Sequence, residues 1–194
     1  RTWIDELISV FGWDVQNTHQ VLTEHSLGKE EKEKLNQIGS TNTRPDYTLV
    51  NGSVMLAFVD AKRNSIDIKN AKDIAFQIRS YGWSIGAPFS IVTNFETLAI
   101  YDCSPMPKIE DYANISRIYF LKYDEYVDKY EILNSFLSRT NVIAGNLKYV
   151  AKKANSLDET FSKMLGDIRK KLAKAILRDN NVENIKSLSS YVQT

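Results

Sequence analysis

The amino-acid sequence predicts an α/β fold in which a mixed β-sheet is flanked by helices and followed by a C-terminal helical extension. Three observations carry this expectation. An Asn51-Gly52 pair separates two apolar runs, residues 47–50 and 54–59, which is the strongest short-range hairpin signal. Apolar residues recur at helical spacing on either side of that hairpin, so helices are interspersed with strands. The last fifty or so residues carry one helical apolar stripe backed by basic side chains.

Taken in order, residues 2–11 are expected to form a short amphipathic helix. Trp3, Ile4, Leu7, Ile8 and Phe11 follow the stripe of a core-facing helix, and Gly12 stops it. Residues 28–36 are dominated by Lys and Glu, and read as an exposed loop or a short solvated helix. The hairpin follows, with Asn-Gly at the turn because both central positions of a type I′ turn need positive φ. Residues 70–83 read as a helix with Ile74, Ile78 and Tyr81 on one face, closed by Gly82, Gly86 and Pro88. Residues 89–93 and 98–101 read as a second strand pair around Asn94-Phe95-Glu96, residues 115–121 as a further strand, and residues 124–137 as a helix. In the tail, Leu157, Phe161, Met164, Leu165, Ile168, Leu172 and Ile176 trace the helical stripe. The expected division is a domain over residues 1–140 and a helical connector over residues 141–194.

Composition narrows the function classes. Hydrophobic residues at 43% and charged residues at 25% exclude disordered and collagen-like chains. Apolar runs are only a few residues long, against roughly 20 for a bilayer span, so no membrane partner is expected. Asp5, Glu6 and Asp14 interrupt any apolar signal segment. Cys103 is the single cysteine, so no internal disulfide forms, which points to a reducing, cytoplasmic compartment. The 25 Lys+Arg against 24 Asp+Glu give a formal net charge of +1, at first sight an argument against nucleic acid. That balance conceals a split, however. Residues 1–104 hold 10 basic and 13 acidic side chains, net −3, and residues 105–194 hold 15 and 11, net +4. Nine basic residues fall between Lys148 and Arg178 against Asp158, Glu159 and Asp167, as a solvated helix face or as a surface for DNA or for the rest of a larger enzyme. A first residue Arg1 and a last residue Thr194 suggest the front piece of a longer chain.

The chemistry concentrates at one end of the hairpin. Asp46 begins the first strand, and Asp60 and Lys62 end the second, so antiparallel pairing makes the two acids neighbours. Side chains alternate along a strand, so Asp60 and Lys62 share a face and Ala61 points away. Two adjacent carboxylates repel unless a cation relieves them. Mg²⁺ takes oxygen ligands of this kind, polarises a phosphoryl oxygen and favours deprotonation of water, with Lys62 placed to stabilise developing phosphate charge. Each short motif alone reads equally as turn or strand-end chemistry. Here they terminate a strand that is apolar on both faces, where charges are costly to place without use.

The pattern Pro45-Asp46 … Asp60-Ala61-Lys62, followed by Gln77-Ile-Arg-Ser-Tyr81, resembles the PD-(D/E)xK nuclease superfamily with its QxxxY element. Residues 7–15 (LISVFGWDV), 44–47 (RPDY), 76–83 (FQIRSYGW), 93–95 (TNF) and 101–102 (YD) are similar to the N-terminal nuclease of single-chain, type IIG restriction-modification enzymes. Residues 157–161 and 168–173 are similar to the helical segment that joins this nuclease to its methyltransferase. The resemblance implies a restriction-endonuclease-like fold and a Mg²⁺-dependent DNA endonuclease, with Mn²⁺ as a substitute metal. It implies Asp46, Asp60 and the Ala61 carbonyl as metal ligands, Lys62 as the catalytic lysine, and Gln77 and Tyr81 as supports of the site or contacts to the DNA backbone. For the upstream acid that many members supply, Glu24 is the preferred candidate and Glu6 the second, each alternatively exposed or locally paired. The middle acid departs from the family in being Asp60, where Glu is more usual. The implied partners are double-stranded DNA, methyltransferase and target-recognition domains of the same longer chain that use S-adenosylmethionine, and a second nuclease copy for double-strand cleavage.

Arg63 and Arg79 are candidate phosphate contacts. His19 and His25 lack partners at zinc-ligand spacing, Cys103 lacks a His partner, and no phosphate-cradling glycine motif occurs. The rival readings are a helicase-linked type I restriction subunit and a non-catalytic DNA-binding module on the same fold.

Overall fold

The computed structural model describes residues 2–145. Their elements are α1 (Thr2–Val10), β1 (Val21–Thr23), α2 (Lys29–Gln37), β2 (Tyr47–Asn51), β3 (Val54–Ala61), α3 (Lys72–Ile85), β4 (Phe89–Thr93), β5 (Thr97–Asp102), β6 (Arg117–Lys122), α4 (Tyr130–Leu137) and α5 (Arg139–Ala144). The six strands lie in one sheet in chain order. All neighbouring pairs are antiparallel except β3 and β4, which run parallel. A parallel pair needs a crossover, and α3 supplies it. The result is the expected α/β fold, a mixed, restriction-endonuclease-like sheet flanked by helices.

The strand alternation sorts the sheet into two cores. Tyr47, Leu49, Ala57, Val59, Ile91, Leu98 and Ile100 pack on one side with Ile4 and Ile8 of α1 and with Leu133, Phe136 and Val142 of α4 and α5. Phe58, Val92, Ala99 and Tyr101 pack on the other side with Leu35 of α2 and Ile74, Ile78 and Tyr81 of α3. The inner strands β3, β4 and β5 therefore contribute to both layers. Among the described residues, no helix is long and apolar enough to cross a membrane.

The hairpin forms with a shifted turn. Asn51 pairs with Val54, so the two loop residues are Gly52 and Ser53, and only Gly52 has positive φ, at 62°. Glycine at the first loop position suits a type II′ turn rather than the type I′ turn expected from Asn-Gly. Between Leu49 and Val50 the register shifts: Leu49 lies opposite Ala57 but Val50 opposite Met55, leaving Leu56 as a bulge.

Several expectations are refined. Residues 28–36 prove helical, and Leu35 is the buried anchor that the charged pattern obscured. Gly82 sits inside α3, and Gly86, at φ 68°, is the residue that closes it. The helix expected over residues 124–137 is a 3-10 turn at Tyr123–Glu125 followed by α4. β1 and α5 were not expected from the sequence. Trp3 belongs to the apolar stripe of α1 yet is 69% exposed, its ring centroid 5.9 Å from that of Phe95. The apolar stripe of residues 157–176 and the basic residues from 148 to 178 lie outside the described residues.

Candidate active site

The site assembles where β2 begins and β3 ends. The register sets Tyr47 opposite Val59 and Thr48 opposite Phe58, so one step outward Asp46 comes opposite Asp60. Tyr47 and Val59 face the α1 layer. By alternation Asp46, Asp60 and Lys62 are directed to the α3 layer, where Gln77 and Tyr81 stand one turn apart.

The contacts are continuous across these residues. Asp46 Oδ2 accepts the Ala61 backbone N–H at 2.7 Å. Lys62 Nζ stands 2.5 Å from Asp60 Oδ2 and donates to Gln77 Oε1 at 3.1 Å. Gln77 Nε2 in turn donates to the Tyr81 hydroxyl at 3.0 Å. The Lys62 N–H donates to the Thr93 carbonyl at 2.8 Å, which ties the end of β3 to the end of β4. Asp46, Asp60, Lys62, Gln77 and Tyr81 thus form one cluster.

Burial sets its electrostatics. Asp60 is only 2% exposed, and burial pushes its carboxyl up to about 6 despite the opposing pull of the Lys62 ammonium, with the Asp46 carboxylate adding to the rise. Burial likewise pushes the Tyr81 phenol up to about 12, with Asp60 and Asp46 raising it further against the Gln77 bond, so it stays neutral at physiological pH. A buried carboxyl whose charged form is disfavoured, with a second carboxylate, a neutral phenol and a primary ammonium beside it, makes a cluster suited to a divalent cation with oxygen ligands.

The remaining candidates lie elsewhere or differ from expectation. Glu24 follows β1, and its N–H donates to the Asp46 carbonyl at 2.8 Å; its carboxylate stands 3.4 Å from the Arg44 guanidinium. Glu6 is exposed on α1. Among the described residues no group of three or more His, Cys, Asp or Glu is arranged to hold a metal ion. Arg63 is exposed directly after Lys62. Arg79 overturns the phosphate-contact expectation. It is 1% exposed and paired through Nη1 with Asp111 at 2.7 Å, so its guanidinium is held inside the protein. Its partner lies 32 residues away in an irregular segment, where no periodicity signals it. Cys103 is buried, and burial pushes its thiol up to about 12, leaving it unreactive. Arg44 is the neighbour that sequence reasoning left without a role: besides Glu24 it reaches Tyr81 through its backbone. The signal for it was adjacency to Pro45-Asp46.

The chain is similar to the type II restriction enzyme and methyltransferase RM.Eco57I of Escherichia coli, at 31% identity over 204 residues that take in 98% of this chain. The chain spans 20% of that relative's length. No protein-family model matches the chain. No solved structure matches it either.

Proposed function

We propose that the chain is the endonuclease module of a restriction-modification enzyme, a PD-(D/E)xK nuclease that hydrolyses phosphodiester bonds of double-stranded DNA. The observation that carries this reading is the convergence of Asp46, Asp60 and Lys62 on the face of α3 that presents Gln77 and Tyr81. The likeness to a restriction enzyme with a methyltransferase supports it and favours the single-chain, type IIG arrangement over the helicase-linked one. On this reading the longer protein continues into methyltransferase and target-recognition domains, uses S-adenosylmethionine there, and works in the cytoplasm.

The residues fit a hard divalent cation, Mg²⁺ or Mn²⁺. Asp60 is a buried acid whose charged form is disfavoured, Asp46 lies beside it, and the Ala61 carbonyl is a third oxygen donor at the same strand end. Glu24 remains the candidate fourth donor, reached by release from Arg44. When bound, the ion supplies charge neutralisation, polarisation of the phosphoryl oxygen and a more acidic water. Lys62 directs its ammonium toward the non-bridging phosphate oxygens as negative charge develops there. Gln77 holds that ammonium by its carbonyl, and Tyr81 holds Gln77 by accepting from its amide. Water gives up a proton to solvent as its oxygen attacks phosphorus in line, the P–O bond opposite breaks, and the leaving oxygen takes a proton from solvent. Supercoiled DNA incubated with the intact enzyme and Mg²⁺ tests the reading. Nicking or linearisation that disappears in Asp60→Ala and Lys62→Ala, with methylation retained, supports it, and cutting by either variant refutes it.

A further inference from the structure

We propose that a strip of ring-backed cations on the crossover before α3 and on β6 binds the phosphate backbone of the duplex being cut; the inference rests on the nuclease reading. The crossover starts at Lys62 and passes over the end of the sheet. There Asn64 donates to Glu96 Oε1 at 3.0 Å and Asn94 donates to the Ile66 carbonyl at 3.2 Å. It ends where Arg117 of β6 donates to the Lys69 carbonyl at 2.7 Å. One stretch of backbone therefore links the catalytic lysine to the far edge of the sheet.

Four cations stand along it: Arg63, Lys69, Lys72 and Arg117. None has a carboxylate within 4.0 Å among the described residues. Asp67, the nearest acid in sequence to Lys69, is engaged in its own turn by the Lys69 N–H and the Asn70 amide. Asp73 follows Lys72 by about 100° around α3 and so faces elsewhere. Three of the cations are held over aromatic rings. Lys72 Nζ lies 3.9 Å from the Tyr112 ring centroid, and Lys69 and Arg117 lie 5.9 and 5.3 Å from that of Phe120. A ring fixes the Lys69 and Lys72 ammonium groups while leaving their outward N–H donors unspent, which lowers the entropic cost of meeting an anion, whereas Arg117 already donates to the Lys69 carbonyl and adds charge. Tyr112 is itself 65% exposed, so its ring is accessible to a deoxyribose or base. From β3 to β6 is three strand spacings, about 15 Å, or roughly four base pairs of duplex at about 3.4 Å each. A duplex centred on Asp60 therefore reaches the strip without bending. Interleaved cations and rings continuous with a phosphodiester site fit DNA better than an acidic protein surface, which would leave the rings unused.

The test compares Lys69→Gln/Lys72→Gln with a control of equal charge change on α2, Lys29→Gln/Lys32→Gln, both in the whole chain carrying Asp60→Asn. Circular dichroism confirms folding, and fluorescence anisotropy measures binding to a short duplex of arbitrary sequence across a salt series. Expected is a loss of about tenfold in affinity at low salt and a slope of log K against log[salt] shallower by about 1.8, for two contacts at about 0.9 each, with the control unaltered. An unchanged slope, an equal loss in the control, or no duplex binding by the parent chain overturns the proposal. Cleavage by the otherwise unaltered enzyme is read separately, so failure of the nuclease reading is distinguishable from failure of the strip.

Discussion

The Ala61 amide donates to Asp46 Oδ2 at 2.7 Å, so the residue between Asp60 and Lys62 is held by the carboxylate of the opposite strand. Asp46 thus does two things, anchoring the end of β3 and offering charge. Asp46→Asn keeps an acceptor for the amide and should lie within about 1 kcal/mol of the parent in stability, whereas Asp46→Ala should cost about 1–3 kcal/mol for the orphaned donor. Both should lose DNA cleavage and calorimetric Mn²⁺ binding. An Asp46→Asn enzyme that cuts at the parental rate would remove Asp46 from the metal site.

Asp60 makes the metal-free protein pH-sensitive. Its carboxyl is raised from 3.8 to about 6, so the folded state holds the proton more tightly than the unfolded state does. The associated stability is fully present below pH 3.8 and is lost as pH rises through about 6, a cost of roughly 3 kcal/mol at neutrality. Thermal melts in chelator should show this group's contribution falling from pH 4 to about 7, and Asp60→Asn should flatten that trend and raise the melting temperature at neutral pH. Saturating Mg²⁺ should stabilise the parent but not the variant. A variant that melts with the parent's pH profile would contradict the burial argument.

Lys62 and Tyr81 should separate by magnitude. Lys62→Met removes the donor aimed at the phosphate and should cost about 10²–10³-fold in single-turnover rate. Tyr81→Phe leaves Lys62 in place but removes the acceptor for Gln77 Nε2, so a smaller rate loss is expected with an unchanged Kd for DNA. Equal losses in the two variants would mean that Tyr81 acts on the substrate directly.

Gly82→Ala tests how α3 is seated. A Cβ there would stand 2.6 Å from Ser90 Oγ and equally crowd Cys103. Backbone and side chains must part to admit it, at about 1–3 kcal/mol, and α3 carries Gln77 and Tyr81 away with it. Lower thermal stability together with reduced cleavage is the expected pair of results. A variant that melts like the parent would show that the contact yields without moving the helix.

Much of this architecture was legible because short-range signals coincide with long-range pairing. Asn51-Gly52 marked a hairpin, and a hairpin brings the ends that carry Asp46 and Asp60 close, although the bulge at Leu56 that sets them opposite each other was not readable. Gln77 and Tyr81 were readable as a helical pair because four residues make one turn. Elements whose identity depends on distant partners were not readable. β1 has three residues and exists because β2 pairs with it. Arg79 has the chemistry of a surface cation, yet it is buried and paired with Asp111, 32 residues further on. Trp3 fits the buried stripe, yet at the start of its helix it is 69% exposed and meets Phe95 of the β4–β5 turn.

The bulge at Leu56 decides what the hairpin can do. Counted back from the Asn51–Val54 pair without interruption, Asp46 would meet Val59, and the acid would confront an apolar side chain from the opposite layer. One unpaired residue in β3 advances the strand by a single step and brings Asp60 to that place instead. Deleting Leu56 would remove the bulge itself: Ala57 would follow Met55, Leu49 would still meet Ala57, and Asp46 would still meet Asp60, so the site should survive that deletion. Chemistry here is a matter of counting as much as of composition: with Leu56 in the chain, the two acids meet only because the ladder skips it, and a substitution that drew Leu56 into pairing with Leu49 would part them.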